Sequence, residues 1–186
     1  MLTSRERSLP GIVMRTITLA LALAAALTTL PAVADEATGQ MVVLKADQIG
    51  QIFCMSRLGN DEAVIQGILT ADLTKAIADA EAKDDAYHTK YPDDEPPLGD
   101  GIPWQSSPDY AAKCTTGLAT LSKSDAKIEI KYDFPDEPAA DYTDTLILKK
   151  LPIEGMDVGY WRIDDVVYPD GTDLKGSLIS VFADTQ

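Results

Sequence analysis

Two adjacent carboxylates, Asp164 and Asp165, lie within a predicted strand in residues 159–171. Because strand side chains alternate between two faces, Asp165 is predicted to share an apolar face with Trp161 and Ile163. Burial there would raise the pKa of Asp165 and suit it to act as a general base near neutral pH. Two structural interpretations of these carboxylates are the alternatives to catalysis. Asp165 could accept hydrogen bonds from backbone N–H groups of a loop or helix start, or a β-bulge could turn Asp164 inward instead.

His88 is the third candidate base, and it is the single histidine of the chain. Its place at the end of a predicted helix is equally typical of a solvated surface residue. One histidine excludes a multi-histidine metal site, and the sequence contains no GxSxG elbow, phosphate loop or dinucleotide fingerprint. An acidic cluster lacks the spacing of an EF-hand and is typical of a solvated loop: Asp93, Asp94, Glu95 and Asp100. We therefore expect no cofactor and no bound metal.

The chain has two cysteines, Cys54 and Cys114. An even number of cysteines in an exported protein predicts a disulfide, and the spacing matches no zinc ligand set. In the chain-entropy model, closing a loop of this length stabilises the fold by roughly 4 kcal/mol.

Residues 91–110 are rich in proline, glycine and aspartate, which excludes regular secondary structure. The stretch also carries Trp104 and Tyr110, and linkers rarely carry tryptophan. We expect an ordered loop that Trp104 pins onto the core, as either a structural lid or a functional loop. Trp104 and Tyr110, with Trp161 of the predicted strand, are the candidate residues for ligand or partner binding.

Residues 1–34 have the pattern of a signal peptide. Arg5, Arg7 and Arg15 precede an uncharged apolar run at residues 17–30, and Ala32-Val33-Ala34 provides a small-x-small cleavage site. The apolar run is shorter than the roughly 20 residues that a membrane span needs, although an uncleaved anchor is the alternative. Translation could also start at Met14. We expect a periplasmic or secreted bacterial protein with one domain at residues 35–186 and no stable membrane anchor after cleavage.

The chain of 186 residues is strongly acidic, with 16 basic and 30 acidic residues. Three of the basic residues and one acidic residue lie in residues 1–34. The remaining 13 basic and 29 acidic residues give a net charge of −16. This charge argues against nucleic acid or an anionic membrane as partner and permits a cationic protein or small molecule. Alternatively, the acidity only keeps an exported protein soluble.

Hydrophobic periodicity predicts an α+β fold in which helices precede an antiparallel sheet. Asp47 is expected to cap a helix to Leu58, a short second helix to reach Leu69, and Thr70 to cap a third helix to Tyr87. Four strands are then expected at residues 113–121, 127–134, 142–151 and 159–167. A short helix after Asp173 is predicted to bury Leu174, Leu178, Ile179 and Phe182. The helices are expected to pack on a curved sheet.

The W-R-I-D-D-V strand at residues 161–166 resembles the closing motif of a family of small exported bacterial proteins of unknown function. Residues 142–146 and the loop at 96–104 add to this likeness, which covers most of residues 47–178. That family is similar to the nuclear-transport-factor-two superfamily, in which a curved sheet wraps a long helix around a pocket. Some family members are lipid-anchored, whereas this chain has no cysteine at the cleavage site. The resemblance implies no catalytic residues.

Two functions from different classes follow. The first is a non-catalytic periplasmic binding module, an inhibitor or interaction protein for a basic envelope protein. The second is a small-molecule enzyme or ligand-binding protein that uses Asp165 in an apolar pocket. A cleft reaching Asp165 would favour the second function, and a filled core with a contact surface around Trp104 would favour the first.

Overall fold

The computed structural model describes residues 43–59 and 61–183. The predicted signal peptide and the expected start of the domain at residue 35 lie outside these residues. None of the helices in the two described ranges combines the length and the apolar character needed to cross a membrane.

From residue 43 onward, three helices precede the sheet: α1 (Ala46–Gly59), α2 (Ala63–Gln66) and α3 (Ala71–Lys90). Thr70 caps α3 as predicted, because its hydroxyl accepts a hydrogen bond from Leu73 N at 3.2 Å. Helix α3 continues three residues beyond the predicted end.

The described sheet has five strands: β1 (Lys113–Thr116), β2 (Thr120–Leu121), β3 (Asp125–Asp133), β4 (Tyr142–Pro152) and β5 (Gly159–Val167). They pair antiparallel in the order β1-β3-β4-β5, with β2 also beside β3. A 3-10 helix, Pro138–Ala140, precedes β4, and helix α4, Leu174–Ser180, follows β5. The predicted α+β fold is confirmed.

The core lies between α1 and one face of the sheet, here called the inner face. Helix α1 contributes Ile49 and Phe53, both fully buried. The inner face contributes alternate residues of its strands, as expected for an antiparallel sheet with one covered face: Ile128, Ile130, Tyr132, Leu146, Leu148, Ile163 and Val166.

Two predicted elements are interrupted by hydrogen bonds to distant residues. Helix α2 was expected to reach Leu69, but Ile68 O accepts from Ile163 N at 2.8 Å, which draws the chain alongside β5. The strand expected at residues 113–121 breaks into β1 and β2. Between them, Ala119 N donates to Asp47 Oδ1 at 2.9 Å instead of to a neighbouring strand.

The last helix begins as predicted, because Asp173 Oδ1 accepts from Gly176 N at 2.7 Å. Its predicted apolar stripe is wrong at Ile179, which is exposed. Leu174, Leu178 and Phe182 are buried, and this row with a spacing of four residues faces away from Ile179.

A β-bulge in β5 overturns the predicted alternation of that strand. Leu148 pairs with Ile163, but Ile147 pairs with Asp165, so Asp164 is an extra residue between the two pairs. Directly paired residues share a face of the sheet. Val166 therefore reaches the inner face, and Asp165 lies on the opposite face with Ile147.

The predicted disulfide between Cys54 and Cys114 is confirmed, with the two Cα atoms 5.4 Å apart. It joins α1 to β1. Neither cysteine is free.

Candidate functional site

The 91–110 loop contains no helix or strand, and Trp104 anchors it. This side chain is only 2% exposed, so the prediction that it docks the loop onto the core is confirmed. Its ring meets the ring of Phe53 edge-on, with centroids 6.4 Å apart. The guanidinium carbon of Arg57 lies 5.7 Å from the Trp104 ring centroid. The loop is thereby held over the C-terminal end of α1.

Hydrogen bonds fix the loop at further points. Leu98 N donates to Asp84 Oδ1 of α3 at 2.8 Å. Ser106 N donates to Asp144 Oδ2 of β4 at 3.1 Å. The Tyr168 hydroxyl donates to the backbone carbonyl of Pro103. The loop is therefore ordered against α3, β4 and the residue that follows β5.

Two of the clefts beside this loop meet at its 103–107 segment. The first, of about 360 Å³, is lined by Arg57, Glu62, Tyr110 and much of the loop between residues 98 and 108. The second, of about 430 Å³, is lined by Tyr142, Tyr168 and further loop residues. Pro103, Gln105, Ser106 and Ser107 line both clefts. The 103–107 segment therefore separates one cleft from the other.

Beneath residues 105–107 lies a group of polar side chains that we call the buried polar cluster: Arg57, Trp104, Tyr132, Tyr142 and Asp144. Tyr132 pairs with Tyr142 across β3 and β4, and their rings stack with centroids 4.6 Å apart. Asp144 lies on the same inner face two residues later and is fully buried. Arg57, in the last turn of α1, is 5% exposed.

The polar atoms of this cluster are incompletely paired. Within the described part of the chain, the buried side-chain atoms that lack a hydrogen-bond partner all belong to it: Arg57 Nε, Trp104 Nε1, the hydroxyls of Tyr132 and Tyr142, and Asp144 Oδ1. Buried polar groups are normally hydrogen-bonded, and each exception needs a physical explanation. Here the exceptions lie together under one loop.

Burial sets the protonation of the cluster. It raises the pKa of Asp144, and the nearby Ser106 hydroxyl and N–H, which favour the charged carboxylate, offset part of the rise. Burial, followed by the nearby Asp144 charge, raises the pKa values of Tyr132 and Tyr142 well above their usual range. Burial lowers the pKa of Arg57, and Glu62 partly opposes that effect. The tyrosines are therefore neutral phenols at physiological pH.

Of the two adjacent carboxylates, Asp164 is the more deeply buried, at 5% exposure. Its Oδ1 accepts from Thr70 Oγ1 at 2.9 Å, and its Oδ2 lies 3.0 Å from Lys149 Nζ and 2.9 Å from Lys175 Nζ. Burial alone would raise the pKa of Asp164, but the hydrogen bonds from Lys175, Lys149 and Thr70 outweigh it and lower the pKa. This carboxylate is held ionised within a structural network.

Asp165 Oδ1 accepts from Val166 N at 2.9 Å and from Lys175 N, at the start of α4, at 3.2 Å. This is the geometry of the structural alternative, a carboxylate bonded to backbone N–H groups. Burial raises the pKa of Asp165, with partial opposition from these bonds. Asp165 lines neither the first cleft, nor the second, nor a further one between the loop and α4.

The remaining predicted site residues are distributed over the surface. His88 is exposed in the last turn of α3. Tyr110 is 59% exposed and lines the first cleft, whereas half-buried Trp161 faces Lys150 across β4 and β5. The structure therefore brings Trp104 and Tyr110 to one cleft without Trp161. Across residues 43–59 and 61–183, no group of three or more His, Cys, Asp or Glu side chains is arranged to hold a metal ion.

Sequence reasoning missed Asp144 as a site residue, although the alternation of β4 contains the signal. Asp144 falls on the same face as Leu146 and Leu148, which are core residues. A carboxylate at a core position of a well-defined strand indicates a buried polar site more directly than Asp165 does, because Asp165 follows a bulge.

No protein-family model, curated protein or solved structure matches this chain. The resemblance to exported bacterial proteins with a cone-shaped fold stays a prediction.

Proposed function

We propose that the protein is an exported, non-catalytic binding module that contacts a basic protein of the cell envelope, as its inhibitor or interaction partner. The contact surface in this proposal is the outer side of the 91–110 loop. The observation that carries it is the ordered, Trp104-anchored loop with exposed acidic side chains: Asp93, Asp94, Glu95 and Asp100. The Cys54–Cys114 disulfide is compatible with export into an oxidising compartment.

The anchoring of the loop supports a binding role. A loop already fixed by the Leu98–Asp84 and Ser106–Asp144 hydrogen bonds loses little freedom when a partner docks on it. Its negative charges attract a basic partner and accelerate encounter. Exposed Tyr110, beside the first cleft, adds an aromatic residue of the type enriched at interfaces.

The enzymatic alternative built on Asp165 has weaker support. Asp165 is occupied by two backbone N–H groups and lies on the face of the sheet opposite to the core. General base catalysis needs a carboxylate within reach of a substrate proton. The geometry at Asp165 favours a structural role for this residue.

A pair of matched double variants tests the binding surface. Asp93→Asn with Asp94→Asn removes two exposed charges from the loop. Asp136→Asn with Glu137→Gln removes two exposed charges between β3 and β4 and serves as the control. We expect the wild-type protein and the control to capture the same basic protein from a periplasmic extract, as identified by mass spectrometry. The loop variant should capture much less of it.

Binding of that purified partner should also weaken as salt is added, because exposed charges are screened beyond about 10 Å at 0.1 M ionic strength. Equal capture by the two double variants, or affinity independent of salt, would refute the proposed surface.

Export is tested separately. N-terminal sequencing of the protein from the periplasm should give a chain that starts at Asp35. Retention of Arg5 or Arg15 in the periplasmic protein would contradict cleavage after Ala34.

A further inference from the structure

The buried polar cluster contains two charged side chains that lack a full set of partners. Arg57 Nη2 contacts Ser56 Oγ at 3.0 Å, but the nearest carboxylate oxygen, on Glu62, is 3.9 Å away and Arg57 Nε has no partner. Asp144 accepts one hydrogen bond through Oδ2 from Ser106, and its Oδ1 has none. A buried charge is costly unless it is paired and hydrogen-bonded. The cluster therefore contains one cationic and one anionic side chain, each with a buried atom that lacks a hydrogen-bond partner.

The neutral side chains of the cluster also have buried polar atoms without a hydrogen-bond partner. The indole N–H of Trp104 and the hydroxyls of Tyr132 and Tyr142 also lack hydrogen-bond partners. The indole lies beside Arg57, so donors gather at that end of the cluster. The stacked tyrosine rings lie beside Asp144, where their faces attract a cation and the carboxylate accepts hydrogen bonds.

The 103–107 segment closes this cluster, with a cleft on each side of it. The first cleft reaches Arg57 and Trp104, and the second reaches Tyr142. The segment is attached to the sheet through the Ser106–Asp144 hydrogen bond and to Tyr168 through the carbonyl of Pro103. Displacement of residues 105–107, with the Trp104 ring kept in the core, would join the clefts above the cluster and free Asp144 Oδ2.

From this arrangement we propose that the buried polar cluster is a binding site for a small zwitterion of the size of a free amino acid, with residues 105–107 as its lid. The ligand carboxylate binds Arg57 and the Trp104 indole N–H. The ligand ammonium binds Asp144, where it replaces the Ser106 N–H. A neutral zwitterion satisfies both buried charges, whereas a simple anion would be repelled by a chain with a formal net charge of −14.

The site is distinct from the acidic outer side of the loop and does not rest on the proposed protein partner. It would allow one protein to bind a small molecule beneath the loop and a basic protein above it.

The test titrates the disulfide-bonded mature protein, after extensive dialysis, with each of the common L-amino acids and with glucose as a neutral polar probe. Tryptophan fluorescence and thermal shift report binding. We expect a saturable response to at least one amino acid and none to glucose. Asp144→Asn should weaken that binding at least about tenfold, because it removes a charge-assisted hydrogen bond while it still accepts from Ser106 N.

Asp109→Asn is the matched control, since it removes an exposed carboxylate from the same loop, and it should bind like the wild type. Should Asp144→Asn fail to fold, Arg57→Lys provides the second variant, and its affinity should fall for the same ligand. Absence of any amino-acid response would overturn the proposal and leave ordered water as the occupant of the cluster. A response to glucose alone, or unchanged affinity in both Asp144→Asn and Arg57→Lys, would overturn it as well.

Discussion

Replacement of Asp164 tests whether one buried carboxylate holds several elements together. Asp164 lies in β5 and contacts Thr70 at the start of α3, Lys149 of β4 and Lys175 of α4. The Thr70 hydroxyl donates to Asp164 while it accepts from Leu73 N, so the network also includes the cap of α3. Loss of the carboxylate should therefore weaken contacts to three other elements.

The magnitude follows from the burial of each partner. A hydrogen bond from buried Thr70 to a charged group contributes about 1.5–3 kcal/mol. Lys149 and Lys175 are 45% and 26% exposed. Solvent screening therefore limits the ion pair with Lys149 to less than about 1 kcal/mol, and the pair with Lys175 to about that value. We expect Asp164→Ala to lower the free energy of unfolding by about 3 kcal/mol. Asp164→Asn, which still accepts from Thr70, should lower it by about 2 kcal/mol.

Urea denaturation at neutral pH measures both variants. Asp79→Asn is the control, because it removes a carboxylate that pairs with Lys75 on the exposed face of α3. That i,i+4 pair is expected to contribute no more than about 0.5 kcal/mol. If Asp164→Asn costs no more than Asp79→Asn, the buried network does not stabilise the fold and the reasoning is refuted.

The stability that Asp164 contributes should decrease as the pH is lowered. The folded-state pKa of Asp164 is lowered, so its contribution is fully present above the ordinary Asp pKa of about 3.9 and is lost as the pH falls through the folded pKa. The difference in stability between the wild type and Asp164→Asn should therefore shrink in acid. A difference that stays constant down to the acid unfolding transition would contradict this assignment.

Three further predictions concern the loop, the disulfide and the second buried aspartate. Trp104→Ala should lower the free energy of unfolding by about 3–5 kcal/mol and make the 91–110 loop sensitive to protease, and an unchanged melting temperature and cleavage rate would contradict its role as anchor. Replacing Cys54 and Cys114 with serine should lower the free energy of unfolding by roughly 4 kcal/mol, measured in urea, and no loss would contradict the chain-entropy argument. Asp144→Asn should leave the free energy of unfolding at pH 7 equal or higher. The raised pKa of Asp144 means that its ionisation costs stability as the pH rises through that pKa, and Asn does not ionise. A marked loss of stability in urea would contradict this.

The features that were predicted correctly depend on local chemistry. Thr70 and Asp173 cap their helices because a short polar side chain reaches a backbone N–H three residues on. The predicted cap at Asp47 is wrong, because Asp47 lies in the first turn of α1 and its carboxylate accepts from Ala119 N. The alternation of Ile128, Ile130 and Tyr132 likewise predicts the buried face of β3 without knowledge of its neighbours.

The features that were missed depend on pairing between distant residues. The bulge at Asp164 arises from the register of β5 against β4 and from the partners that Thr70 and two lysines supply. The sequence analysis names such a bulge only as an alternative, because a strand without its partner does not show where an extra residue falls. Unbroken alternation therefore assigns Asp164 and Asp165 to the wrong faces. The buried polar cluster was missed for a related reason, because its residues come from α1, the 91–110 loop, β3 and β4, which lie far apart in the sequence.

The disulfide also determines what happens to a nicked molecule. Cys54 and Cys114 are 60 residues apart, and the whole 91–110 loop lies within the ring that they close. A single proteolytic cut in that loop opens the ring but leaves both fragments joined through sulfur, with α1 and β1 still linked. Fragments would separate on a denaturing gel only after reduction. In a compartment that contains proteases, the protein would therefore persist as a two-chain form with its loop opened.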